Sequence, residues 1–412
     1  MSTEESKIKQ GLRSRLFLPA LLLAVFFLNT YRVFLNNALV DVASSLKVTV
    51  GTASQIFTIG TVVGLIVGLA IGFLAVRFKH KSLFLLGLTF YSVGILGCFF
   101  APDFYSTLFF NIFLGIGYAT AGIMIITLIG DFLPLGKKGM AVGLVVGFEF
   151  VADLVVAQVT SVITNAAGWR AVLLWFIFPI AVASLLLGFF VLPSKPHQQQ
   201  SANKPQYLEA FKKVLVNKSA LACQIAIALV YVSVLVPFYA VSFYILDFHE
   251  SLSTGAIFYS LASVMGIVGV LVGGRLINRV GRKRLTVATG VIEGIFAILM
   301  VFVPNVWVSV AMWMVSAAFV SGTFAGLLSL SLEQVPGFRG TMMSLSASFQ
   351  NAGLIVGLTI SGLVLNLYAN NFQILYTIFG AAGVVASVVV FLFAKDPCKN
   401  QLLARASKKS KL

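Results

Sequence analysis

Charge is what this 412-residue chain has least of. Asp, Glu, Lys and Arg make up 10% of its residues against 59% hydrophobic, and the mean hydropathy is +0.99. Soluble domains carry about a quarter charged residues, so a chain this poor in charge cannot cover a water-facing surface, and most of it faces lipid. The three histidines, His80, His197 and His249, fall in loops, which argues against a buried histidine relay. The three cysteines, Cys98, Cys223 and Cys398, are far apart and have neither metal-ligand nor disulfide spacing. No His, Cys and Asp arrangement supplies a nucleophile, an acid pair or a metal set, so neither an enzyme nor a metal site is expected. A phosphate-cradling glycine loop is also missing, so no ATP or other cofactor is expected, and any transport would draw on an ion or substrate gradient.

What the chain does have is apolar runs of membrane-crossing length, about 20 residues each. Cutting at the charges predicts twelve spans, at about 16–42, 50–76, 82–101, 106–133, 138–165, 168–192, 218–246, 252–278, 285–303, 306–334, 338–368 and 371–394. The polar, proline-containing stretch PSKPHQQQSANKPQYLEAFKK separates the sixth from the seventh. This divides the chain into a six-helix unit at 1–192, a linker at 193–217, a second six-helix unit at 218–395 and a basic tail at 396–412. The first span follows KIKQGLRSR, but no small-residue cleavage site comes after it, so it reads as a retained helix.

Basic residues outnumber acidic ones 29 to 13, for a net charge of +16. Placing both termini, the linker and the even-numbered loops on one side puts all but three of the 29 there, the exceptions being Arg32, Lys47 and Arg170. Cytoplasmic loops are the ones enriched in Lys and Arg, so both termini and the linker are expected in the cytoplasm, with the protein multi-pass in the cell membrane. The basic residues lack the one-face arrangement with aromatic or motif context of a nucleic-acid site. Topology and contact with anionic lipid headgroups account for them. The expected partners are therefore the bilayer and a small-molecule substrate, with no nucleic acid and a monomeric state.

The densest basic cluster, GGRLINRVGRKR at 273–284, has a counterpart. A shift of 202 residues lays Gly72 on Gly274, Arg77 on Arg279, Lys81 on Lys283, Asp131 on Glu333, Pro134 on Pro336 and Lys137 on Arg339. One constant offset over more than sixty residues marks an internal duplication of the six-helix unit. Each copy is the short loop between the second and third helices of its half. Its glycine is read as allowing close helix approach and its cations as holding the turn on the cytoplasmic side.

This loop resembles the motif of the major facilitator superfamily, broadly G-x-L-x-D-R-x-G-R-K. The second copy matches through Gly274, Leu276, Asn278 in the acidic place, Arg279, Gly281, Arg282 and Lys283. The first keeps Gly72, Leu74, Arg77 and Lys81 but has Val76 in the acidic place and Lys79 at the second glycine. NNALVDVASSL, NIFLGIG and GWRAVLLWF also resemble the family. The resemblance implies an all-α integral membrane fold, two six-helix bundles about a central cavity, that moves a small solute by alternating access, with its site near the bilayer midplane. It also implies a conformational latch at the basic face, drawing on the loop residues with Asp131 and Glu333. For Arg279 and Arg282 simple topology anchoring is the competing reading. Exporters of this family carry an arginine where this chain has Asn111, and a proline where it has Phe148. Proton-coupled uptake or exchange of a small metabolite, anionic ones included, is thus the leading expectation. A drug/proton antiporter is the alternative, with a channel or scaffold further off.

Within the spans, Glu149 and Asp153 are four residues apart and share one helix face. Glu149 lies about 16 Å from the cytoplasmic end at 1.5 Å per residue, and Arg32 comes out near the depth of Asp153. Charges at such depth face a bundle interior or a cavity. Two readings stand: a structural Arg32–Asp153 pair that neutralises itself, or a substrate and proton site in which Arg32 holds an anionic group and a carboxylate exchanges a proton. Asn351 falls on Glu149 under the 202 shift. Tyr31, Asn36, Tyr118 and Tyr239 are candidate cavity-wall groups. Glu293, in the ninth span, is expected to pack or to sit at the lipid interface.

Overall fold

The computed structural model describes residues 3–133, 135–193, 216–335 and 339–396. No strand occurs among them, and twelve helices follow one another: α1 (Thr3–Ser45), α2 (Val50–Arg77), α3 (His80–Phe100), α4 (Phe104–Phe132), α5 (Leu135–Ala167) and α6 (Trp169–Val191), then α7 (Lys218–Leu246), α8 (Leu252–Val280), α9 (Arg282–Leu299), α10 (Val306–Leu332), α11 (Arg339–Leu367) and α12 (Phe372–Phe393). Eleven of them are long and apolar enough to cross a membrane. The exception is α9, 18 residues opening on Arg282, Lys283 and Arg284 and carrying Glu293. It packs between α10 and α12.

The helix starts are written in short polar residues. Side chains of Thr49, Asp103, Asn217, Asn305 and Asn371 each accept a bond from a backbone N–H of the turn they precede, satisfying donors that the first turn leaves unpaired. Breaks follow proline chemistry. Helix α7 interrupts between Ser233 and Val236, where the ring of Pro237 would otherwise meet the carbonyl four residues back, that of Ser233. Helix α6 opens into a π-helical turn at Val172–Ile177, where Pro179 has no N–H to offer the carbonyl of Trp175.

The chain divides into two units, Met1–Gln200 with Glu250–Ser260, and Ser201–His249 with Leu261–Leu412. The expected linker falls mostly outside the described residues, as does the basic tail beyond Asp396. In the first unit α3 packs on α4 and α6, α1 on α5 and α6, and α2 on α4. In the second, α9 packs on α10 and α12, and α7 on α11 and α12. Four of these pairings, those of α1 and α3, recur six helices on and are the structural face of the duplication. The second unit's core runs through Cys223, Ile227 and Val230 of α7, Leu327 and Leu330 of α10, Met342 of α11 and Val390 of α12. In the first unit α2 and α4 meet at Gly60 and Gly115, where a Cβ on Gly115 would overlap the Gly60 carbonyl. Backbone-to-backbone approach of this kind is what small residues permit in lipid.

Candidate functional site

The α1–α5 contact decides where the intramembrane charges go. Arg32 and Asn36 lie one turn apart on α1, Glu149 and Asp153 one turn apart on α5. Arg32 Nη2 donates to Asp153 Oδ1 at 2.9 Å and lies 3.4 Å from Asn29 Oδ1. The same Asp153 oxygen accepts from the Tyr259 hydroxyl at 3.3 Å, and Asn36 Nδ2 donates to that hydroxyl at 3.3 Å. Tyr259 belongs to the opening turns of α8, the part of that helix that clusters with the first unit. Gln158 of α5 secures those turns, donating to the Ala256 carbonyl at 3.0 Å and the Ser260 hydroxyl at 2.8 Å.

The cluster is saturated on one side only. Arg32 makes its bonds through Nη2, and its side chain stays 30% accessible, against 13% for Asp153. Asn36 Oδ1 is buried with no partner among the described residues. Glu149 is half-buried and takes no hydrogen bond or ion pair among them, although it lies within electrostatic range of Arg32, Asp153 and Tyr118. Tyr118, on α4, is 47% exposed. The arrangement thus offers guanidinium N–H donors, a carboxylate without a partner and a buried amide oxygen, all on one side of α1 and α5.

Other expected positions point elsewhere. Tyr31 is buried and turned about 100° from Arg32 by the helical step. Its hydroxyl accepts from Asn111 Nδ2 at 3.1 Å and lies 3.8 Å from Cys98 Sγ, so it ties α1 to α3 and α4 rather than lining a cavity wall. Asn111, at the exporter arginine place, is itself one of these ties. Tyr239 is also packed away, fully buried against the rings of Phe238 and Phe379. Asn351 donates to the Ala347 carbonyl of its own helix at 3.0 Å. Glu293 is buried, accepts a bond from Ser233 Oγ, and its Oε2 has no partner among the described residues.

At the basic loops, Lys81 Nζ donates to the carbonyls of Phe189 and Leu192 at 2.6 Å each. Arg282 Nη1 faces Glu333 Oε1 at 4.0 Å, and Asp131 meets His80 at 2.6 Å. Arg77 and Arg279 are exposed. The side chain of Asn278 and the surroundings of Gly72 lie outside the described residues. The close-approach reading of the loop glycine needs correcting. A Cβ on Gly274 would meet nothing within 4 Å, whereas a Cβ on the adjacent Gly273 would come within 3.1 Å of Gly322 Cα. Gly281 has a different reason again, a φ of +92°, while a Cβ there would meet only Asp396 Oδ2 at an ordinary 3.9 Å, so the need there is conformational.

The sequence profile of the Major Facilitator Superfamily matches residues 21–292 and 267–412. The chain belongs to this superfamily. It is therefore a multi-pass membrane protein of a transporter family, one that is not enzymatic. Among curated relatives, the D-xylose transporter of Levilactobacillus brevis is 28% identical over 165 residues, covering 38% of this chain and 35% of that protein. The uncharacterised MFS-type transporter YbcL of Bacillus subtilis (strain 168) is 22% identical over 397 residues, covering 92% of this chain and 95% of its own. The chain thus matches about a third of the D-xylose transporter and nearly all of YbcL. In structure, a D-xylose-proton symporter superposes with a TM-score of 0.78 at 14% identity over 92% of this chain and 98% of its own, a likeness of fold.

Two residues escaped the sequence reading. Tyr259 is one of three hydroxyl residues in the otherwise apolar run AIFYSLASV, and only a survey of every polar group inside a span would have raised it. His80, expected in a loop, opens α3 and contacts Asp131.

Proposed function

We propose that this transporter moves a small polar solute by alternating access, coupled to protons, with the solute held at Arg32, Asp153, Tyr259 and Asn36 and the proton carried by Glu149. The observation that carries this reading is the one-sided saturation of the cluster: Arg32 is anchored through one nitrogen and stays 30% accessible beside an unpaired Glu149. One cation and two carboxylates leave an excess negative charge when all three are ionised, and an intramembrane excess is costly. A single proton on Glu149 cancels it, and so does a solute that brings a hydrogen-bond donor to that carboxylate. A polar metabolite rich in hydroxyl or carboxyl groups fits the donors of Arg32 and the amide oxygen of Asn36. The D-xylose-proton symporter's likeness in fold is consistent with such cargo. Both termini lie in the cytoplasm under this proposal, following the distribution of Lys and Arg, and the protein acts as a monomer in the cell membrane.

The substrate class is found by a thermal-shift screen of purified protein over sugars, organic anions, amino acids and cationic drugs. The best binder is then loaded into proteoliposomes. Glu149→Gln mimics the protonated carboxyl, and it should retain binding and counterflow exchange while losing accumulation driven by an imposed pH gradient. Accumulation at the wild-type level in that variant would remove Glu149 from the coupling role. A reporter fused to the C-terminus should be active only inside the cell, and activity only outside would reverse the topology.

A further inference from the structure

Three helices close on Glu293 in the second unit. The Ser233 hydroxyl of α7 donates to its Oε1, and Ser316 Oγ of α10 donates to its backbone carbonyl at 3.2 Å. On the third side α12 presents Gly383, where a Cβ would come within 3.0 Å of Oε1 and 3.2 Å of Oε2. A side chain at 383 would take the space that the carboxyl occupies. Glu293 is 1% exposed, and its Oε2 has no hydrogen-bond partner among the described residues.

No side chain on these helices is placed to offset the charge of that carboxyl. Helices α10 and α12 carry no charged residue. On α9 the nearest cation is Arg284, nine residues back, about 14 Å along the axis, and on α7 it is Lys218 at the helix start. The other titratable groups are Cys223, Tyr231, Tyr239 and Tyr244 of α7 and Tyr376 of α12, none of which can supply a positive charge. Ser233 is also the last residue of the first segment of α7, where Pro237 offers its carbonyl no N–H. The carboxyl therefore meets the C-terminal end of a half-helix, the negative end of its dipole. A buried carboxylate facing that end is costly unless a positive charge joins it, and the broken helices of transporters use this combination to hold cations.

The first unit shows that the fold needs no charge at this place. The 202 shift carries Glu293 to Tyr91, Ser233 to Tyr31 and Gly383 to Ala181. Tyr91 is neutral and donates its hydroxyl to the Leu28 carbonyl at 2.6 Å. We propose that Glu293, with the Ser233 end of the first α7 segment, binds one small monovalent cation, a proton or Na+, inside the second unit. The cation cancels the charge that the surrounding helices leave unbalanced, and so holds the break in α7 against α9. The site is distinct from the Arg32 cluster and stands whether or not Glu149 carries the coupling proton.

The test is thermal unfolding of the full-length protein in detergent between about pH 6 and 9, in choline chloride and in NaCl. Glu293→Gln keeps the shape and removes the charge, so it needs no cation. With rising pH in choline chloride the wild type should lose about 5 °C more than this variant. The same excess loss in NaCl identifies the proton, since a carboxyl that is protonated in the folded state contributes stability on the acidic side. An excess loss that NaCl abolishes identifies sodium. The effect should persist when Glu149→Gln is present, which separates this site from the coupling carboxyl. Ser233→Ala removes the donor that supports the charged form and should enlarge the loss, a check that does not require Glu293→Gln to fold. Three results overturn the proposal: wild type and Glu293→Gln unfolding in parallel under every condition, an excess loss that vanishes with Glu149→Gln, or a Ser233→Ala loss no larger than the wild type's.

Discussion

Where the first unit carries Arg32, Glu149 and Asp153, the second, 202 residues on, carries Val234, Asn351 and Ile355. The α1–α5 pairing recurs as α7–α11, yet the first holds three ionisable groups at these positions and the second none. Duplication therefore repeated the scaffold, which depends on apolar faces and small residues, and left the chemistry free to diverge. Val234 also falls at the break in α7, so at this level the second copy has backbone irregularity where the first has charge. The polar interior diverged in the same way. Tyr31, Cys98 and Asn111 form the buried ties of the first unit, while Ser233, the counterpart of Tyr31, donates to Glu293 in the second.

The largest expected effect comes from erasing this asymmetry. Arg32→Val with Asp153→Ile gives the first unit the second unit's residues. Transport in proteoliposomes should drop about a hundredfold, the value of roughly two charge-assisted hydrogen bonds. Stability should change little, because replacing a buried pair by apolar groups is often neutral. Arg32→Ala alone should instead destabilise by about 2–3 kcal/mol, below the range for a fully buried pair because the guanidinium is partly accessible, since it strands Asp153. Thermal unfolding in detergent compares the two. Equal losses of stability would mean the cluster is not a pair.

A smaller effect tests the loops. Gly281 and its counterpart Lys79 both precede a helix, but Gly281 has a φ of +92° and Lys79 one of −62°. This is why the first copy can do without the motif's second glycine. Gly281→Lys and Gly281→Ala should each cost about 1–2 kcal/mol, similar for both because the penalty belongs to the backbone. Lys79→Gly should cost only a few tenths. If the cost at Gly281 rose steeply with side-chain size, close packing would be the cause instead.

The smallest effect concerns helix starts. Asp103 caps α4 and its counterpart Asn305 caps α10. Hydrogen bonds from the Ser106 N–H and then its hydroxyl hold the Asp103 carboxyl below the usual range. The ionised form makes the cap, so its contribution is present above the ordinary aspartate range and fades as pH falls through the lowered value. Exchange of the first α4 amides should quicken on acidification to about pH 3, and that of the first α10 amides should not. Parallel behaviour would show that the cap does not depend on charge.

The sequence by itself determined the membrane class, the order of twelve helices and the duplication. Each of these rests on local composition or on one constant offset, which no tertiary contact can alter. It also placed Arg32 and Asp153 at the same depth, because rise per residue is a property of the helix alone. Only the tertiary structure decided which way each side chain turned. Tyr31 and Arg32 are adjacent in sequence, yet one enters the α3–α4 interior and the other the α5 contact. Tyr259 and His80 entered their clusters through segments distant in sequence, 106 residues from Asp153 in the one case and 51 from Asp131 in the other. Helical rotation and long-range packing set these outcomes, because hydropathy records how deep a residue lies and not which neighbour it meets.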